Sequence, residues 1–282
     1  TVLIRGGSFV LDNSTVSANI TGPGPVVNGI ESIGSGIDIQ VKQNVEIQNL
    51  GVLETNVTGD ATPGVTYGGV HVKADHLEIL GTVTLDEAFA GADVFTPFTG
   101  IRSDVRAGSA GGNSGGITLE ANSVLIHNIG LVETITDGAG NAGSITVKAN
   151  QDIELDLVIG FQSAARPGSE GDTGNVELSS AQGNITIRNF SQVGTQLVDS
   201  PGIAGNLRLS APAGNILVAD SNVGTYIQAH VNQAGLHAAR EAGSGALAIN
   251  AINLELSGGD IGITNLSIQE AGDLTINVSG NL

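Results

Sequence analysis

The feature that most limits what this chain can become is its internal repetition. A short run led by a small or polar residue recurs as Gly36-Ile37-Asp38-Ile39, Gly69-Val70-His71-Val72, Gly116-Ile117-Thr118-Leu119 and Ser144-Ile145-Thr146-Val147. It continues as Asn175-Val176-Glu177-Leu178, Asn206-Leu207-Arg208-Leu209, Ala246-Leu247-Ala248-Ile249 and Asp273-Leu274-Thr275-Ile276. Apolar residues alternate with mostly polar ones, the period that sends side chains to opposite faces of a strand. A second alternating run follows, with Val45 and Ile47, Leu77 and Ile79, Val124 and Ile126, Ile153 and Leu155, Ile185 and Ile187, Ile216 and Val218, and Leu254 and Leu256. A third is clearest where Asn49-Leu50-Gly51-Val52-Leu53-Glu54-Thr55 matches Asn128-Ile129-Gly130-Leu131-Val132-Glu133-Thr134, and where Val193-Gly194-Thr195 matches Val223-Gly224-Thr225.

First-run starts are separated by 33, 47, 28, 31, 31, 40 and 27 residues, so the minimal unit is 27 and the excess falls in glycine-rich segments. Strands this short bury their apolar face only by stacking unit on unit. The expected fold is therefore all-β: a right-handed parallel β-helix, a solenoid of about eight coils with three short strands each, forming one domain over residues 1–282. Loop insertions are expected on one edge. At a strand spacing of roughly 4.8 Å, eight coils make a rod of about 40 Å.

Composition then narrows the function classes. With 42 glycines, 13% charged and 3% aromatic residues the chain would read as disordered, were it not for the recurring Val, Ile and Leu. A net charge of −18 repels nucleic acid and anionic membranes. No stretch approaches the roughly 20 apolar residues of a membrane span, so neither nucleic-acid binding nor membrane insertion is expected. Cysteine is absent, which excludes a disulfide framework. Thr1 follows no signal-like segment and methionine is missing, pointing to a processed piece of a longer precursor.

Asparagines at turns into strands, Asn141, Asn175, Asn184, Asn206 and Asn215, are placed to cap with their side chains and to form ladders across coils. Ala229 to Glu241 has a helix-favouring composition, and Leu85 to Gly115, carrying Phe89, Phe95 and Phe98, reads as an insertion packed over the rod.

Gly115-Gly116-Ile117-Thr118-Leu119-Glu120-Ala121, Gly140-Asn141-Ala142-Gly143-Ser144-Ile145-Thr146-Val147-Lys148-Ala149 and Gly6-Gly7-Ser8-Phe9-Val10-Leu11-Asp12-Asn13-Ser14-Thr15 resemble the filamentous-haemagglutinin-like repeats of large exoproteins exported by two-partner secretion in Gram-negative bacteria and cyanobacteria. The resemblance implies a secreted, surface-displayed adhesin or scaffold, with a glycan or surface receptor as external partner. The lack of cysteine is consistent with export by threading.

No catalytic, cofactor-binding or metal residue is assigned. The rival class is a polysaccharide-binding or polysaccharide-cleaving β-helix, which needs clustered carboxylates near Lys, Arg or His. The chain has three lysines, no Asp-Asp pair and no Gly-His-Gly. A metal site could be drawn from His230, His237 and Glu241, the last two standing four apart on one helix face, but two histidines and a glutamate read better as an exposed polar face. His71, His76 and His127 read as outer strand or turn positions. The Asn-x-Ser/Thr sequons, from Asn13 to Asn277, are what this composition supplies by chance, and the Gly-x-Gly fragments lack a strand-to-helix context for phosphate.

The ends carry the self-assembly expectation. Val2-Leu3-Ile4-Arg5 and Phe9-Val10-Leu11 read as second and third strands, and the tail from Gly272 to Val278 as a first strand, so tail and head would complete one coil. Val2 and Ile4 of one copy would then meet Leu274, Ile276 and Val278 of another. The alternative is a piece of one longer continuous helix, whose further coils cover the same residues.

Overall fold

A computed structural model describes residues 1–22, 36–82, 98–228, 244–265 and 271–282. Among them every strand pairing is parallel, and each strand pairs with the equivalent strand of the neighbouring repeat. The first ladder contains Val2–Gly6, Ile37–Val41, Val70–Lys73, Ile117–Ala121, Ile145–Ala149, Val176–Ser180, 207–211, 247–251 and Leu274–Val278. The second contains Phe9–Asp12, Asn44–Gln48, His76–Leu80, Ser123–His127, Ile153–Asp156, Ile185–Arg188, 215–219 and 253–257. Leu207–Ala219 and Leu247–Ser257 run through both, joining the two ladders into one fifteen-stranded sheet. The third ladder is a separate eight-stranded sheet of Thr15–Ser17, Val52–Val57, Thr99–Val105, Gly130–Thr136, Gly160–Ala165, Gln192–Val198, Asn222–Gln228 and Asp260–Asn265. This is a parallel β-solenoid class of fold, with no helix among the described residues.

Alternation fixes the register. Shifting any strand by one residue would turn its buried set out to solvent, and the alignment instead stacks like on like, as Ile39, Val72, Leu119, Val147, Leu178, Leu209 and Ile249 do along the first ladder. All seven are at most 1% exposed. Each such side chain contributes about 1.5–3 kcal/mol of burial.

The interior is not wholly apolar. Thr55, Ser103, Thr134, Ser163, Thr195 and Thr225 stack as a hydroxyl column inside the third ladder, each at most 2% exposed. Thr134 and Ser163 donate to the Gly143 carbonyl at 2.6 and 3.1 Å, and Thr195 to that of Gly205 at 3.0 Å. These are corner carbonyls just before first-ladder strands, which would otherwise be buried without partners.

The corner asparagines form the expected ladders. The side-chain oxygen of Asn175 accepts the Asn206 N–H at 2.8 Å, and that of Asn206 accepts the Ala246 N–H at 2.8 Å. On another corner Asp152, Asn184 and Asn215 are linked in the same way, while Asn141 accepts from Asp172. Each side chain thus replaces the ladder bond that the turning backbone gives up. Between second and third ladders, Asn49-Leu50 and Asn128-Ile129 both take left-handed conformations, with φ between 48° and 66°. Asn tolerates that region best among non-glycine residues.

Three expectations change. Val2–Gly6 pairs with Ile37–Val41 and Phe9–Asp12 with Asn44–Gln48, so the head supplies first and second strands, and Thr15–Ser17 supplies the third. The segment from Leu85 to Gly115 contains a regular third-ladder strand, Thr99–Val105. In chain order the second-ladder strand His76–Leu80 is followed by the third-ladder strand Thr99–Val105 only after a long link, whereas 58–69 and 106–116 join third-ladder to first-ladder strands, so the long links do not all fall at one edge. The helix expected from Ala229 to Glu241 lies outside the described residues.

Candidate functional site: the outer face of the third ladder

Residues at one outward position, Glu54, Arg102, Glu133 and Gln162, follow one another in register on adjacent strands. Arg102 donates to Glu54 through Nε at 3.0 Å and Nη2 at 2.6 Å, and its guanidinium lies 4.8 Å from the centre of the Phe98 ring. Burial opposes ionisation of Glu54, but the Arg102 hydrogen bonds outweigh it and hold the carboxyl below its usual value. Two residues along, Asp104 accepts the Ile135 N–H at 3.0 Å and lies 3.2 Å from Nη2 of Arg106, whose Nε donates to Asn56. Arg166 lies 3.7 Å from Asp137.

Asp104 and Glu133 are 1% and 7% exposed. Burial pushes Glu133 up to about 8, with the charge of Asp104 adding to it and the arginines Arg166, Arg102 and Arg106 opposing it. Asp104 is raised to about 6, again by burial, against Arg106 and Arg102. Arg102, Arg106 and Arg166 also face Glu54, Asp104 and Asp137, and their attraction does not offset the burial of Glu133. Glu133 therefore keeps its proton at neutral pH. Sequence reading missed this pair because its members are 29 positions apart. The available signal was the match of Glu54-Thr55 with Glu133-Thr134 about one arginine-bearing strand. Near-complete burial withdraws both carboxyls from any substrate at the surface.

Along the same face the outward position becomes glycine. Gly194 aligns with Gln162 and Gly224 with Gly194. A Cβ on Gly194 would lie 1.9 Å from the Gly224 carbonyl oxygen, and one on Gly224 would lie 2.9 Å from Cζ and Oη of Tyr226. The missing side chains let the phenol fold back across the strand and leave an open cleft of about 160 Å³, lined by Gln162, Gln192, Gln196, Asn222 and Tyr226 around that glycine floor. Burial and the nearby Asp260 charge raise the Tyr226 phenol above its ordinary value, so it remains a hydrogen-bond donor at neutral pH.

The histidines sit on outer strand positions, as expected. His71 Nδ1 lies 3.0 Å from Asp38, His127 Nε2 lies 2.8 Å from Glu78, and His76 contacts Ser123. Such half-exposed pairs add about 0–1 kcal/mol each. Among the described residues no group of three His, Asp or Glu is placed to hold a metal; His230, His237 and Glu241 lie outside them.

At the ends, Val2 aligns in the column that Leu274 closes, and Ile4 in the column of Ile276. Leu274 and Ile276 are 48% and 39% exposed, while Val2, Ile4 and Val278 are half-buried. The second ladder ends at 253–257, where Asn281 donates its N–H to the Asn253 side chain and accepts the Leu254 N–H, and among the described residues the third ladder stops at Asp260–Asn265. Since the head carries all three strands, head and tail do not share a single coil between them.

Comparison with protein-family models, with curated proteins and with solved structures finds no match.

Proposed function

We propose that this chain is an extracellular structural or adhesive segment of a secreted surface protein of the filamentous-haemagglutinin-like type, built as a right-handed solenoid of about eight three-strand coils over residues 1–282. The right hand follows from the strong preference of parallel crossover connections. The observation that carries the reading is the continuity of the stack: apolar columns, a hydroxyl column and asparagine ladders run unbroken through successive repeats. An axis braced at core and corners suits a rod. Asp104 and Glu133 are buried inside the wall, Asp104 beside Arg106 and Glu133 holding its proton, which favours a scaffold over hydrolysis.

Leu274, Ile276 and Val278 leave apolar columns open to a further parallel layer, and Val2 and Ile4 continue those columns at the other end. That layer comes from a second copy stacked head to tail or from further coils of the same chain. Electron microscopy across a concentration series tests the reading. Rods that lengthen beyond about 40 Å with concentration, in steps of one molecule, are expected. Short rods at every concentration would overturn the stacking, and particles with no rod shape would overturn the scaffold itself.

A further inference from the structure

The cleft on the third ladder differs from the rest of this acidic surface. Its side chains are uncharged, although the chain carries a net charge of −18. Four carboxamides surround it, from Gln162, Gln192, Gln196 and Asn222, and none makes a side-chain hydrogen bond among the described residues. Each offers both an acceptor and two donors. The fifth wall is Tyr226, half-buried, which presents an apolar ring with a polar tip.

We propose that this cleft binds a neutral glycan, running as an extended chain across the strands from Gln162 towards Tyr226. The inference deepens the adhesive half of the function proposed above by giving its partner a chemistry and a place. Sugar hydroxyls both donate and accept, as the carboxamides do, and the apolar face of a pyranose ring matches the face of a phenol. Gln162, Gln196 and Tyr226 stand on three successive strands. At roughly 4.8 Å per strand they span about 10 Å, the reach of two to three sugar rings laid along the axis. Asp260, on the next strand opposite Asn222, places negative charge at the rim. A uronate or sulfated chain would meet repulsion from Asp260 at that rim, so the site favours uncharged polymers.

Native affinity electrophoresis of the purified chain in gels containing xyloglucan, galactomannan or laminarin, with polygalacturonate as the acidic comparator, tests the proposal. Tyrosine emission gives a second readout, because the chain has no tryptophan and its other tyrosine, Tyr67, is 4% exposed. At least one neutral polymer should retard migration and quench emission. Gln196→Ala and Tyr226→Ala should each weaken binding by about fivefold or more, while Tyr226→Phe retains most of it. Thermal melts establish that the variants fold; should Tyr226→Ala fail to fold, Gln162→Ala takes its place. Retardation by no neutral polymer, equal retardation by polygalacturonate, or folded variants that bind like the parent would overturn the site. Rod length is scored on the same samples, so loss of glycan binding with intact rods removes this site alone, and loss of rods with binding intact removes the stacking.

Discussion

Glu133 makes the folded protein sensitive to alkali. Its carboxyl is held at about 8 in the fold, against an ordinary 4.5, so between those values the folded chain binds a proton that the unfolded chain releases. Stability from this group is complete below pH 4.5 and is lost as pH rises through 8. Each pH unit inside the window costs about 1.4 kcal/mol, so the loss between pH 5 and pH 9 is roughly 4 kcal/mol at most. Asp104 acts in the same direction, but its window closes near pH 6. Asp38 and Glu54, whose carboxyls are held low, act only below their ordinary values near pH 4 and leave the interval untouched. Glu133→Gln removes the titration while keeping the shape. Guanidinium unfolding at pH 5, 7 and 9 should show the parent midpoint falling steadily, the variant midpoint nearly level, and the variant the more stable of the two at pH 9. A parent midpoint that is flat or rises from pH 5 to 9, with the variant tracking it, would refute the reasoning.

Other positions test other parts of the account. Arg102→Gln leaves Glu54 without its charged partner in a wall where both are about 15% exposed; a loss of about 3 kcal/mol is expected by denaturation at pH 7, and less at pH 4, where Glu54 takes up a proton. Ile126→Ala, at a fully buried second-ladder position, should cost 2–5 kcal/mol by the same assay, reading about 2 if neighbouring repeats close around the gap. Asn206→Ala removes the acceptor for the Ala246 N–H at an exposed corner and should cost about 1 kcal/mol, with faster amide exchange at Ala246 as the specific signature.

The first and second ladders were legible because strict alternation with a small lead residue survives in nearly every repeat. The asparagine ladders were legible too, since a Gly-Asn pair at a constant offset becomes a vertical column once repeats are stacked. The head was misassigned because alternation gives a strand but not its ladder: Val2-Leu3-Ile4-Arg5 alternates as well for a second strand as for a first. Thr15–Ser17 is three residues long with a single apolar side chain, too little for a period to register. Thr99–Val105 was hidden among glycine, serine and charged residues, where only Ile101 and Val105 carry the inward pattern. The Asp104 and Glu133 pair escaped for a related reason. Burial of a carboxylate depends on what covers it from adjoining turns of chain, and the local sequence around each residue looks like an exposed strand. The cleft at Gly194 and Gly224 was visible as a repeated Val-Gly-Thr but not as a concavity, which depends on Tyr226 folding back over the strand.

The parallel, in-register stack is the claim on which the rest depends, and the absence of cysteine allows it to be tested by cross-linking. Thr146 and Glu177 are direct partners on adjacent first-ladder strands, and Arg208 is the partner of Glu177 one strand further on. A disulfide needs Cα atoms within about 7 Å, which admits neighbours at roughly 4.8 Å and rejects residues two strands apart. Under mild oxidation, the double variant Thr146→Cys with Glu177→Cys should form an intramolecular bond in nearly every molecule, and Thr146→Cys with Arg208→Cys should form none. Efficient bonding in the second variant, or failure in a folded first, would contradict the stack.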